Sequence, residues 1–210
     1  MSLAASFALQ AHGQPVSYEQ VEKPEVRVGD SWVYNYSNNL NRAYAYTLTV
    51  NFVGPDVLLT TTSSRNSEEH DSIWTPEWNA KSLGVGIVYR APTGLLKFPL
   101  KVGATYDASY QTMGVRGKPD APRVEINVKV KVVGWEDVEV AAGKFRALKV
   151  EAHGTTRRLD NGREGRVRHQ IWWVPEVERW VKWVYDDGMP APQQSEGHEL
   201  VEFKLVEKSK

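Results

Sequence analysis

The stretch that decides the fold is Arg123-Val-Glu-Ile-Asn-Val-Lys-Val-Lys-Val-Val133. From Val124 to Val132, every even-numbered position carries valine or isoleucine, and every position between them is charged or polar. Successive side chains of a β-strand point to opposite faces, so this alternation is typical of a strand with one face in the core and the other in water. Sheets with one wetted face are usually antiparallel. The stretch therefore predicts an antiparallel sheet.

Alternating or β-branched runs recur outward from this stretch in both directions. They predict about ten strands, at 32–36, 44–52, 57–63, 105–113, 123–133, 135–140, 145–153, 166–174, 180–186 and 198–207. No window of eleven or more residues carries an apolar stripe with the period of a helix, apart from part of the N-terminal segment. We expect an all-β fold with little helix, in which a curved antiparallel sheet of about ten strands forms a half-barrel or barrel or splits into a sandwich.

The 210 residues suit one all-β core, and we predict a single β domain over residues 30–210. An extended lead-in at 14–29 precedes it, because Pro15 and Pro24 fall there without a sustained hydrophobic period. Within the domain, 64–101 is the least regular part, and it predicts loops and short strands.

Residues 1–13, MSLAASFALQAHG, are small and apolar, and no charged residue precedes Glu19. This composition resembles the remnant of a signal peptide that begins inside its h-region, since a basic n-region is missing. Cleavage near Ala11 would make Leu9 and Ala11 the third-last and last residues of the leader. We therefore predict an exported protein of the bacterial periplasm or envelope. The alternative is an N-terminal arm of a cytoplasmic protein.

Charge and composition exclude several classes of function. Lysine plus arginine total 26 and aspartate plus glutamate total 26, so the chain has no bulk positive field to attract nucleic acid. Hydrophobic residues make up 41% of the chain, as in soluble globular proteins, and we expect no membrane span. The absence of cysteine excludes thiolate catalysis, cysteine-ligated metals and disulfides. It leaves the compartment open, and the oligomeric state is open too.

Four stretches together resemble a family of uncharacterised bacterial envelope proteins, a domain of unknown function. They are Val28-Gly-Asp-Ser-Trp-Val-Tyr34, Phe98-Pro-Leu-Lys-Val-Gly103, Val132-Val-Gly-Trp-Glu-Asp-Val-Glu-Val-Ala-Ala-Gly-Lys-Phe-Arg-Ala-Leu-Lys-Val150 and Trp172-Trp-Val-Pro-Glu-Val-Glu-Arg-Trp-Val-Lys182. In the third stretch Ala141 replaces the proline of the family's Pro-Ala-Gly-x-Phe hairpin. In the fourth, Glu178 and Arg179 stand where the family has a glycine.

The resemblance covers most of the chain from about residue 28 to residue 203. It implies a periplasmic or envelope location and a fold similar to the curved half-barrels of lipoprotein carriers. Its motifs are glycines at turns and aromatic residues on strands, and they supply no catalytic residue. Analogy of fold does not give function.

The histidines offer little chemistry. No two of the five have the spacing that places two imidazoles on one ion, so we expect no metal site and no cofactor. Ser67-Glu-Glu-His-Asp71 groups three carboxylates around a histidine, but such a run on a loop is usually a solvated turn. His169 lies within a predicted strand, where a pocket could use it as a base; a surface or core histidine is the simpler interpretation.

Tryptophan is the remaining signal, since four of the eight fall in one predicted hairpin. Strand neighbours point to opposite faces, so Trp172 and Trp173 cannot both enter one core. The outward one is available to stack on a sugar or line an acyl-chain groove, or it lies under a loop. The candidate ligand-binding residues are Trp172, Trp173, Trp180, Trp183, His169, Tyr106 and Tyr110.

Five arginines flank Asn161-Gly162, a dipeptide typical of a type I′ hairpin turn. They are Arg157, Arg158, Arg163, Arg166 and Arg168. Because Asp160 and Glu164 are interleaved with them, the pattern predicts a solvated hairpin tip first, and a contact for an anionic partner such as lipid head groups second.

The sequence contains no catalytic constellation, and the first hypothesis is therefore non-enzymatic. We predict that the curved sheet binds an apolar or amphipathic small molecule, or another envelope component. Three alternatives stay open: a glycan-binding module that uses exposed tryptophans, a structural or assembly protein of the envelope, and a hydrolase with a pocket near His169.

Overall fold

The computed structural model describes residues 19–65, 69–84, 86–115, 121–188 and 194–207. The predicted leader at 1–13 lies outside these residues. The strands are β1 (Gln20–Val21), β2 (Ser31–Asn38), β3 (Ala43–Val53), β4 (Val57–Ser63), β5 (Glu69–Trp74), β6 (Ala80–Ser82), β7 (Ile87–Tyr89), β8 (Leu100–Lys101), β9 (Thr105–Val115), β10 (Val124–Val140), β11 (Gly143–Arg158), β12 (Glu164–Val174), β13 (Arg179–Asp187) and β14 (Gln194–Lys204). One 3₁₀ turn, Pro175–Val177, joins β12 to β13.

Twelve strands form a closed barrel in the order β10-β11-β12-β13-β14-β2-β3-β4-β5-β6-β7-β9. All of their pairings are antiparallel. The all-β, antiparallel prediction is confirmed, and of the three predicted shapes the barrel is the one that forms. Closure removes the exposed edges that an open sheet would leave.

The predicted number of about ten strands is wrong for two physical reasons. The irregular region 64–101 contributes β5, β6 and β7 to the wall, and strands of three to six residues are too short to display a clear alternation. A second difference lowers the count by one: the two strands predicted on either side of Gly134 form a single strand, β10. Gly134 sits at a bulge, where β10 shifts register against β11 without ending.

The barrel closes through a narrow seam at β6 and β7. Ser82 and Val88 form the single residue pair between these strands, whereas β10 and β11 pair over almost their whole lengths. β7 then joins β9 through Ile87 and Tyr89. The number of paired residues between neighbouring strands therefore varies widely around the barrel.

Tryptophan rings fill one end of the interior, here called the tryptophan end. It contains Trp32, Trp74, Trp78, Trp173 and Trp180, all buried. The chain covers this end with the 3₁₀ turn: the indole nitrogen of Trp32 donates to the Val177 carbonyl at 3.0 Å, and that of Trp78 to the Glu178 carbonyl at 2.9 Å. Glu178 has a φ of 54°, in the left-handed region that favours glycine, so glutamate takes this conformation at the end of the turn.

The two ends of the described chain meet at the tryptophan end. Buried Asp30 accepts hydrogen bonds from the backbone N–H groups of Arg27 and Val206, at 2.7 and 2.8 Å. The lead-in also forms β1, which pairs with β8 and buries Val21 in the core. The first and last described residues therefore lie away from the opposite end of the barrel.

Candidate functional site

Trp172 and Trp173 lie on opposite faces of β12. Trp173 points into the barrel, where its ring meets Phe98 at 5.1 Å. Trp172 lies on the outer face, yet it is only 8% exposed, because Lys149 and Lys182 cover its ring and Glu136 accepts its indole hydrogen. Neither residue presents an open ring to solvent.

Trp180 and Trp183 both face the interior, with ring centroids 4.9 Å apart. Trp180 belongs to the tryptophan end, whereas Trp183 keeps part of its surface exposed and borders the opposite half of the interior. The tryptophan-rich hairpin is therefore divided between a packed core and a more open region.

His169 and Tyr110 meet across the interior. The Tyr110 hydroxyl lies 3.0 Å from Nε2 of His169, although β9 and β12 are separated in the sheet by β10 and β11. Burial lowers the pKa of His169 to about 3, and the Asp186 carboxylate opposes this only in part, so the imidazole is neutral near pH 7. Its Nδ1 has no hydrogen-bond partner among the described residues.

Tyr106 lies apart from the other candidates. Its hydroxyl donates to the Leu95 carbonyl at 3.0 Å and accepts from the Lys97 backbone N–H at 3.1 Å, so it holds the segment before β8 in place. It also lines a groove of about 500 Å³, beside Asn79 and Leu96. The structure therefore brings Trp183, His169 and Tyr110 together, and it leaves Tyr106 and Trp172 elsewhere.

The other half of the interior holds a cluster of inward-facing aromatic rings and imidazoles, and we call it the tyrosine–histidine chamber. Its walls are Tyr36, Tyr44, Tyr46, Tyr89, Tyr110, Tyr185, Trp183, His169 and His198. Most of these side chains point inward yet keep part of their surface exposed. Tyr110 and His169 are buried, and the other seven side chains are partly accessible.

Hydrogen bonds hold the chamber walls. The Tyr46 hydroxyl lies 2.8 Å from Nδ1 of His198, and β2 lies between their strands. Burial, reinforced by the positive charge of Arg179, lowers the pKa of His198 to about 4. Both histidines are thus neutral polar groups rather than cations at physiological pH.

Two carboxylates lie near the mouth of the chamber. Burial raises the pKa of Glu196, and the neighbouring Asp187 raises it further, while a hydrogen bond with Tyr36 opposes both effects. The Tyr185 hydroxyl donates to Asp187 at 3.2 Å. Glu196 forms no ion pair with any described residue.

Arg179 lies beneath the chamber, at the border of the tryptophan end. It is fully buried, and its guanidinium carbon lies 3.9 Å from the ring centroid of Trp180 and 4.0 Å from that of Trp78, with Trp32 and Trp74 slightly farther away. Such contacts offset part of the cost of burying a cation. Burial still lowers its pKa, to about 10.

Sequence reasoning missed Arg179 and His198. Arg179 stands within a stretch where a glycine was expected, and nothing local marks an arginine that packs among tryptophans from distant strands. Tyr36, Tyr44 and Tyr46 stood on the correct face of their predicted strands. Only closure of the sheet shows that this face lines a chamber.

The arginine-flanked hairpin between β11 and β12 forms at one edge of the barrel wall. Arg157 pairs with Glu125, Arg158 with Asp160 and Arg168 with Asp186. Arg163 and Arg166 are exposed and form no ion pair with the described residues. A depression of about 280 Å³ lies beside Arg166 and Arg168 on the outer wall.

No family model matches this chain, and no curated protein matches it. Several solved structures resemble it, and two of them follow. One is a lipoprotein candidate from Parabacteroides distasonis, with a TM-score of 0.55, 14% identity, and coverage of 91% of this chain and 100% of the other. The second is an exported-protein candidate with a YmcC-like fold from Bacteroides fragilis, with a TM-score of 0.55, 14% identity, and coverage of 89% and 100%.

The chain shares the fold of these two proteins. The predicted resemblance to exported bacterial proteins is thus confirmed at the level of the fold. A weaker match is the hypothetical lipoprotein YmcC of Escherichia coli, with a TM-score of 0.48, 7% identity, and coverage of 85% and 87%.

The described residues contain no cluster of three or more histidine, aspartate or glutamate side chains placed to hold a metal ion. They also contain no helix with the length and apolar content that crossing a membrane requires.

Proposed function

We propose that this protein is an exported envelope protein that binds an amphipathic small molecule, without transforming it, inside the tyrosine–histidine chamber. The observation that carries the proposal is the chamber itself. Most of its inward-facing aromatic side chains are partly accessible, whereas the tryptophans at the other end of the barrel are buried. Binding sites for small molecules combine apolar and aromatic walls with a few fixed polar groups. The hydroxyls and imidazoles of the chamber are such groups.

Export is part of the proposal, and two independent features support it. The leader-like composition of residues 1–13 is one. The other is the fold, which is similar to that of proteins described as a lipoprotein candidate and an exported-protein candidate.

The alternatives have less support. A glycan platform needs an exposed indole, and both Trp172 and Trp173 are covered. Neither residue therefore offers an open ring on which a sugar could stack. A hydrolase around His169 needs an activating partner, and the imidazole instead meets the Tyr110 hydroxyl, whose own pKa burial raises well above its usual value. A purely structural role gives no reason for an accessible chamber.

Native mass spectrometry of the protein recovered from a bacterial periplasm tests the proposal. We expect a population with a copurifying mass, and we expect Thr61→Trp to abolish it. Thr61 alternates with buried Leu59 and so faces the interior, where it lies opposite Leu48 and diagonal to Tyr46, within reach of an added indole.

The matched control is Thr62→Trp, at the next residue of the same strand on the outer face. It should keep the copurifying mass. Recovery of folded protein without any bound mass, or a bound mass that Thr61→Trp leaves unchanged, would count against the proposal.

A further inference from the structure

Arg179 is a buried cation without a counter-ion. Its Nε, Nη1 and Nη2 atoms have no hydrogen-bond acceptor in the described part of the chain, and no described carboxylate forms an ion pair with it. The Tyr34 hydroxyl donates its own proton to the Trp180 carbonyl at 2.7 Å, and its oxygen, which lies beside the guanidinium, is a neutral partner that leaves the charge unpaired. Buried charges in proteins are normally paired and hydrogen-bonded, so this arrangement calls for an acceptor.

Unsatisfied donors continue from Arg179 toward the chamber. The indole nitrogens of Trp180 and Trp183 are buried and have no acceptor among the described residues. The guanidinium stacks on Trp180, and Trp180 meets Trp183 edge to face. A series of N–H donors without acceptors thus leads from the cation to the floor of the chamber, where Trp183 and Tyr46 lie.

The positive field of Arg179 reaches that floor. The guanidinium works against the burial that raises the pKa of Tyr46, and it adds to the burial that lowers the pKa of His198. At the mouth lie two carboxylates, Glu196 and Asp187, together with Arg42 and Arg65, whose charges act on Tyr44. Charges of both signs therefore lie at the entrance of the chamber, whereas its base holds the buried cation.

We infer that the ligand carries an anionic group of the carboxylate class, which lies at the chamber floor over Arg179 and accepts from the Trp183 indole. This inference rests on the proposed function and specifies the polar group of its ligand. The remainder of the ligand then lies among the tyrosine rings, and the anion sits as far as the chamber allows from Glu196. An acceptor in this place satisfies donors that the protein leaves unsatisfied.

The competing arrangement is an organic cation held at the mouth. Aromatic rings together with Glu196 and Asp187 suit an ammonium group. That arrangement leaves Arg179, Trp180 and Trp183 as they are, so the unsatisfied donors favour the anion.

Three probes with the same alkyl chain separate these possibilities: decanoate, 1-decanol and decyltrimethylammonium. Their dissociation constants for the full chain are measured by quenching of intrinsic tryptophan fluorescence, below the concentration at which each probe forms micelles. We expect decanoate to bind about tenfold more tightly than either of the other probes. Equal affinities, or tightest binding of decyltrimethylammonium, would overturn the inference while leaving ligand binding in the chamber intact.

Arg179→Met removes the cation while keeping an unbranched side chain of similar length, and Arg179→Lys retains a positive charge. We expect Arg179→Met to weaken decanoate binding by on the order of tenfold or more and to leave 1-decanol binding near that of the wild type. The affinity of Arg179→Lys for decanoate should lie between that of the wild type and that of Arg179→Met. Unchanged decanoate affinity in folded Arg179→Met would also overturn the inference.

Should Arg179→Met fail to fold, the ranking of the three probes on the wild-type protein decides the question alone. Failure of all three probes to bind would remove both the inference and the proposed function. The two failures are therefore distinguishable.

Discussion

His198 and His169 link the interior of the barrel to pH at the scale of single residues. Their folded pKa values lie near 4 and 3, below the ordinary value of 6.5 that applies in the unfolded chain. Below pH 6.5 the unfolded state therefore binds protons that the folded state does not. As the pH decreases below 6.5, the free energy of unfolding should decrease by up to about 1.4 kcal/mol per pH unit for each histidine, until the folded pKa is reached.

Replacing one histidine should remove its share of that slope. For His198→Gln we expect the loss of unfolding free energy between pH 6.5 and pH 5 to be roughly half that of the wild type. Glu196, whose pKa is raised in the folded state, contributes with the opposite sign in both proteins. Urea unfolding followed by tryptophan fluorescence at a series of pH values measures the slope.

The matched control is His153→Gln on the outer wall, where the imidazole is already exposed in the folded protein. It should keep the wild-type slope. A slope for His198→Gln equal to that of the wild type would show that its imidazole is not held neutral in the interior.

At the scale of elements, Gly154 shows how closely β11 lies against β10. A Cβ atom at this position would stand 1.9 Å from the Asn127 carbonyl oxygen and 2.7 Å from the Val128 Cα, both of them backbone atoms that cannot rotate away. We expect Gly154→Ala to lower the free energy of unfolding by about 3 kcal/mol or more, measured by urea unfolding.

Gly197→Ala is the control for that substitution, since its added Cβ meets only the Ser37 side chain, at 3.4 Å. Its cost should stay within about 1 kcal/mol. Similar stabilities for the two variants would mean that β10 and β11 separate readily at Gly154.

The long strands were predictable because the alternation of apolar and polar residues within each of them is enough to indicate a strand. Valine and isoleucine alternate with charge along β10, and that pattern alone places one face in the core. Short strands were expected within 64–101, but the positions of β6 and β7 were not predictable, since three residues show no period and only pairing with neighbouring strands defines them. Arg179 was not predictable either, because its environment is assembled from rings on β2, β5 and β13 and on the loop that follows β5.

At the scale of the whole molecule, closure of the barrel depends on the short pairing between β6 and β7. β6 and β7 share one residue pair, while β10 and β11 pair along almost their entire lengths. Regions with few backbone hydrogen bonds open at lower free energy. We expect hydrogen–deuterium exchange to be fastest, among the barrel strands, at β6 and β7 and slowest at β10 and β11. Equal protection of both regions would contradict a weak seam.

The separation of the interior into a packed tryptophan end and an accessible chamber is the basis of the proposed function. Asp30 and Val206, which lie near the two ends of the described chain, are at the packed end, opposite the mouth of the chamber.

The most direct test of ligand binding in the chamber is a titration followed through the tryptophan indole ¹⁵N–¹H signals, with decanoate as the probe. Trp183 borders the chamber with an unsatisfied N–H, and Trp172 lies covered on the outer wall. Trp183→Phe and Trp172→Phe assign the two signals. We predict that decanoate shifts the Trp183 signal and leaves the Trp172 signal in place. Saturating decanoate that moves no indole signal, or that moves Trp172 and not Trp183, would contradict binding inside the barrel.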